Sequence, residues 1–133
     1  MATIEVSVNQ TGPTSSESLI RNHTVPIDRP ESKGGADEGA MGGELLLASL
    51  GGCFMSTLLA AVQARAADVR NVRLAVTGTL DGNPSRFTAV HMAVTADHRD
   101  QAGLEKLVVI AERSCIVANT LKGALDLSVT VGA

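Results

Sequence analysis

The chain has 133 residues, a net charge of −3 and 44% hydrophobic residues, which suits one domain whose core needs neither disulfide staples nor a structural metal. With no Trp, no Tyr and only two Phe, it lacks the stacking platforms of single-strand nucleic-acid binders. It also lacks a basic run to meet a phosphate backbone, so no nucleic-acid partner is expected.

In chain order, Ile4, Val6 and Val8 alternate with polar residues and predict a short strand, ended by Thr11-Gly12-Pro13. Leu19 to Ile27 reads as a second strand, with Pro26 marking an edge or an end. Asp28 to Gly43 carries Pro30, Gly34, Gly35, Gly39, Gly42 and Gly43 and reads as a long loop of the kind that is often functional. Glu44 to Ala67 predicts a long helix, with Leu46, Leu50, Cys53, Thr57, Ala60 and Ala64 on one face. Gly51-Gly52 in its middle costs roughly 1–2 kcal/mol of propensity and points to a close neighbour or a kink.

Val72 to about Leu80 and Phe87 to Thr95 flank Asp81-Gly82-Asn83-Pro84 and form a hairpin. Gln101 to Lys122 predicts a second helix, with Leu104, Val108, Ala111, Cys115 and Ala118 facing inward and Gly123 as its C-terminal cap. Leu127, Val129 and Val131 make a last strand. Antiparallel sheets with helices gathered on one face are an α+β domain over residues 1–133.

The most apolar run, Leu45 to Val62, is interrupted by Ser49, Ser56 and Thr57, so no membrane span is expected. The N-terminus lacks a basic region followed by an apolar stretch, which makes a cytoplasmic location the expectation. There, two cysteines are free or redox-active rather than a permanent staple. Both fall on apolar helix faces, a pattern shared by buried core cysteines and by a reactive pair. Two such side chains across a helix contact can reach disulfide distance. His23, His91 and His98 lack metal-ligand spacing, and His91 is expected to face solvent. Ser56 and Thr57 read as packing residues beside Cys53.

The run Gly42-Gly43-Glu44-Leu45-Leu46-Leu47-Ala48-Ser49-Leu50-Gly51-Gly52-Cys53, the preceding Asp28-Arg29-Pro30, and Glu112-Arg113-Ser114-Cys115-Ile116-Val117-Ala118 together resemble the OsmC/Ohr (organic hydroperoxide resistance) family. The resemblance implies an intertwined homodimer with antiparallel sheets around two central helices. It implies a peroxidase in which Cys53 attacks an organic hydroperoxide and Cys115 resolves the product into a disulfide. A dithiol reductant such as a lipoylated protein recycles that disulfide, with no metal, flavin or haem cofactor. Glu44 and Arg29 match the family's supporting glutamate and arginine, with Arg21 an alternative to Arg29. Gly43 stands where the hydroperoxide-resistance branch has its glutamate, Thr11-Gly12-Pro13 where it has Gly-Gly-Arg, and Ile116 where proline often follows the second cysteine. These differences keep a second reading open, a dimeric module binding a small apolar ligand, because fold alone does not fix function.

Overall fold

The computed structural model describes residues 1–132. The fold is α+β, with two three-stranded sheets and helices. The chain forms two compact units, Met1–Leu46 and Leu47–Ala133.

The first unit is an antiparallel meander of β1 (Ser7–Gln10), β2 (Ser16–Ile20) and β3 (His23–Ile27). The single strand expected over Leu19 to Ile27 is two strands, because the chain reverses at Arg21-Asn22. Arg21 takes a positive φ of 55° there, and neither residue advertises a turn as Gly or Pro would. Val6, Val8, Leu19 and Ile20 are exposed. The loop after β3 contains a 3₁₀ turn at Glu31–Lys33 and folds back so that the Asp28 N–H reaches the Ala40 carbonyl at 3.0 Å.

Asp28 organises this loop. It is 3% exposed, and its carboxylate accepts from Thr14 Oγ1 (2.9 Å) and from the N–H groups of Arg29 (2.7 Å), Ala36 (3.1 Å) and Glu38 (3.2 Å). Burial alone would raise its pKa. The donors outweigh burial and hold it below the usual carboxylate value. Gly35 is required at its position, since a Cβ would meet the Arg29 carbonyl oxygen at 2.0 Å.

Helix α1 (Gly42–Ala64) begins with Glu44 accepting from the Met41 N–H at 2.9 Å, the carboxylate half of a capping box. Its 23 residues and hydropathy of 2.0 make it long and apolar enough to cross a membrane by length and composition alone. The three hydroxyl residues therefore break up that run less than the amino-acid pattern suggests.

In the second unit, β4 (Val69–Asp81) and β5 (Arg86–His98) form the expected hairpin, turning through Gly82 at φ 89°. Helices α2 (Gln101–Ser114) and α3 (Ile116–Leu121) carry the chain to β6 (Asp126–Val131), which pairs with β5 in parallel. An all-antiparallel arrangement is thus corrected. A helical crossover returns the chain in the direction of β5, as parallel neighbours require.

The core lies between one face of this sheet, carrying Val90, Met92 and Val94, and the helices. The buried stripe of α1 is Leu50, Phe54, Leu58 and Ala61, turned from the expected one; Leu46 is exposed, and Cys53 and Thr57 sit at its border. The helix is apolar nearly all round, and burial of Phe54 fixes which side faces in. Gly51 does admit a close neighbour, with Val76 Cγ2 at 3.1 Å from the position of a Cβ. On α2 and α3 the expected inward residues Leu104, Val108, Ala111, Cys115 and Ala118 are all buried.

Candidate active site: two sulfurs at a broken helix

The helix expected over Gln101 to Lys122 breaks at Cys115, which adopts extended φ −78°, ψ 112° and closes α2 while opening α3. No Gly or Pro marks the break. The Cys115 N–H bonds Glu112 (3.2 Å) instead of continuing the α pattern to Ala111. This frees the Ala111 carbonyl and the first N–H groups of α3.

The freed groups find partners. Ala118 N–H donates to Cys115 Sγ at 3.4 Å, so a sulfur takes the capping role. The Ala111 carbonyl accepts from Thr57 Oγ1 at 2.9 Å. The Arg113 carbonyl accepts from Asn119 Nδ2 at 3.1 Å, and Lys122 pairs with Glu112 at 3.2 Å. The N–H groups of Val117 and Ile116, together with the Cys115 thiol, favour the ionised form of Cys53.

Both cysteines are reduced. Cys115 is fully buried and Cys53 partly exposed. Burial works against the Cys53 thiolate, but Val117 N–H, the Cys115 thiol and Ile116 N–H outweigh it and hold its pKa below the ordinary 9.0. Cys115 moves the other way. Burial raises it, and the neighbouring Cys53 sulfur holds its proton by hydrogen bond and charge, overcoming the Ala118 and Val117 N–H groups. The pair is therefore polarised, with one partly exposed thiol whose ionisation is favoured and one sheltered thiol whose ionisation is opposed.

Of the four residues expected at the site, Cys53 and Cys115 are brought together in the second unit. Arg29 and Glu44 belong to the first. Arg29 is exposed, and its N–H holds Asp28; Glu44 caps α1. Sequence reasoning missed the backbone N–H groups of Ile116 and Val117, which no residue type reveals, and took Thr57 as a packing or pocket-lining residue without its bond to Ala111. His91 lies on the face of β5 opposite Val90 and Met92, partly exposed, with Nδ1 2.6 Å from Ser128 Oγ and Nε2 3.0 Å from Thr130 Oγ1. Among the described residues no three His, Cys, Asp or Glu side chains gather as metal ligands would. A cavity of about 370 Å³ lined by Val69, Leu104, Leu107 and Ile110, with Arg65 and Arg99 among its walls, includes neither cysteine.

No curated protein sequence matches the chain. Among solved structures, the chain is similar to a Psychrobacter arcticus protein provisionally named an osmotic stress induced and detoxification response protein (TM-score 0.85, 19% identity, covering 99% of this chain and 98% of that one). It is similar to the Legionella pneumophila organic hydroperoxide resistance protein OsmC (TM-score 0.78, 18% identity, 100% and 98% covered). It is also similar to the organic hydroperoxide resistance protein OhrB of Bacillus subtilis (TM-score 0.72, 16% identity, 98% of each chain covered). At these identities the likeness is one of fold. The family model described as OsmC-like protein matches residues 35–130, a stretch holding both cysteines and the helix break between α2 and α3, and on that match the chain belongs to the OsmC-like protein family.

Proposed function

We propose that this protein is a cysteine-based peroxidase of organic hydroperoxides, acting as a single OsmC-like domain over residues 1–133. The observation that carries the reading is the polarised pair: a partly exposed Cys53 with a lowered pKa, held by the thiol of a buried Cys115. The names of the Legionella and Bacillus proteins point the same way.

In this mechanism the Cys53 thiolate attacks the terminal peroxide oxygen. An S–O bond forms, the O–O bond breaks, and the alkoxide leaves as the alcohol after taking a proton. Cys53 is then a sulfenic acid. The Cys115 sulfur attacks it, water departs, and a Cys53–Cys115 disulfide remains, which guards against over-oxidation. An external dithiol, such as a lipoyl group on a protein, restores both thiols by exchange. No metal or organic cofactor takes part in this scheme. Arg29, or Arg21 in its place, and Glu44 are assigned the family's supporting roles around Cys53. A homodimer fits the uncovered apolar surface: only 28% of the apolar window of α1 is buried within the chain, Leu46 and Leu59 are exposed, and the β1–β3 sheet leaves Val8, Leu19 and Ile20 open. A cytoplasmic setting, which keeps thiols reduced, suits this chemistry.

The test is consumption of tert-butyl hydroperoxide with dihydrolipoamide. Cys53→Ser is expected to abolish it. Cys115→Ser is expected to support one turnover and then to trap Cys53 over-oxidised or as a mixed disulfide. Full activity in Cys53→Ser sinks the proposal, and two thiols of ordinary pKa would favour a module that binds an apolar ligand.

A further inference from the structure

Thr57 lies one helical turn after Cys53, on the same side of α1. Its single hydroxyl hydrogen is shared between the Phe54 carbonyl in its own helix and the Ala111 carbonyl of α2, each 2.9 Å away. The first contact is ordinary back-bonding of a helical threonine. The second joins elements 54 positions apart in the chain. Ala111 is the residue whose carbonyl loses its helical partner when Cys115 turns away to Glu112, and it is fully buried. A buried carbonyl without a donor is costly, so it favours whichever backbone path supplies one.

Two arrangements compete for that carbonyl. If α2 ran on without a break, the Cys115 N–H would take it, and the N–H groups of Ile116 and Val117 would turn back to Glu112 and Arg113. With the break, Thr57 takes it and those two N–H groups are released. We propose that Thr57 is a positioning residue for Cys53: by occupying the Ala111 carbonyl, its hydroxyl holds α2 at the break that aims the Ile116 and Val117 N–H groups at the Cys53 sulfur. Thr57 thus meets the acceptor left at the broken end of α2, one turn along α1 from Cys53. The inference rests on Cys53 as the reactive thiol.

The experiment follows carbamidomethylation of Cys53 by iodoacetamide from pH 5 to 10, read by mass spectrometry, in the wild type, Thr57→Val, Thr57→Ser and Thr57→Ala. Hydroperoxide turnover is measured in parallel. Valine keeps the shape and removes the hydroxyl. Losing one hydrogen bond of ordinary strength is expected to move the Cys53 titration upward and slow its reaction at pH 7 by about three- to tenfold. Serine is expected to restore the wild-type profile, and alanine to match valine; alanine takes the place of valine should the valine protein not fold. A valine profile superposed on the wild type overturns the inference, and so does a serine profile displaced as far as valine, since the methyl group would then be what matters. If the wild type consumes no hydroperoxide while valine still shifts the titration, the peroxidase reading falls and the positioning role stands.

Discussion

Asp28 and Cys53 are both acids whose anions are held by backbone N–H groups, and they differ in what surrounds them. Around Asp28, three N–H groups and a hydroxyl fill the carboxylate's accepting positions, and the residue is 3% exposed. Nothing is left for a reagent to approach, and the anion serves as the knot of its loop. Around Cys53 the N–H groups that lower its pKa belong to the junction where α2 gives way to α3, and the residue is partly exposed. The same physics lowers both pKa values. Access, together with the neighbouring Cys115 thiol, is what distinguishes Cys53 from Asp28.

The widest gap between the two kinds of site concerns reagents. In the folded protein Cys53 is expected to react with iodoacetamide at neutral pH at least about 100-fold faster than Cys115. The buried thiol must wait for a local opening of about 3 kcal/mol, and each 1.4 kcal/mol is tenfold. Equal rates, read by peptide mapping, would erase the distinction between open and sealed sulfurs.

Ile116→Pro is expected to have a smaller effect. Proline suits the first position of a helix, and the extended Cys115 before it is compatible with a following proline. The change therefore removes one donor and little else. The Cys53 titration is expected to rise, with about a three- to tenfold slower reaction at pH 7. An unchanged titration would mean that the Ile116 N–H does not hold the thiolate. A departure from the family resemblance gains a meaning here: isoleucine supplies an N–H where proline has none.

The smallest effect concerns Asp28→Asn. The folded pKa of Asp28 lies below its ordinary value of 3.8. Its stabilising contribution is thus complete above pH 3.8 and disappears as pH falls through the lowered folded value. The Tm gap between the wild type and Asp28→Asn is expected to be largest near neutrality and to close in acid. A gap independent of pH would show that shape, and not charge, makes Asp28 the knot.

The β4–β5 hairpin, the inward stripe of α2 and the last strand were legible in the sequence, because each rests on local periodicity or on a turn signal such as Asp81-Gly82-Asn83-Pro84. What escaped depends on distant partners. The break at Cys115 is accompanied by a sulfur cap and by a hydrogen bond from a threonine on another helix. The parallel direction of β6 follows from the crossover of α2 and α3. The inward side of α1 is set by Phe54, since an apolar helix offers several equivalent stripes. For the candidate site, the resemblance singled out the two cysteines, and the backbone N–H groups beside them were not legible, since any residue but proline carries an N–H.

The broken helix also has a consequence for timing. The N–H groups that lower the Cys53 pKa lie more than sixty residues downstream of it, where α2 gives way to α3. On the proposed reading, a chain that stops short of α3 is expected to carry Cys53 as an ordinary thiol, because the N–H groups that lower its pKa are then missing. The reactivity proposed for Cys53 is thereby tied to the finished fold.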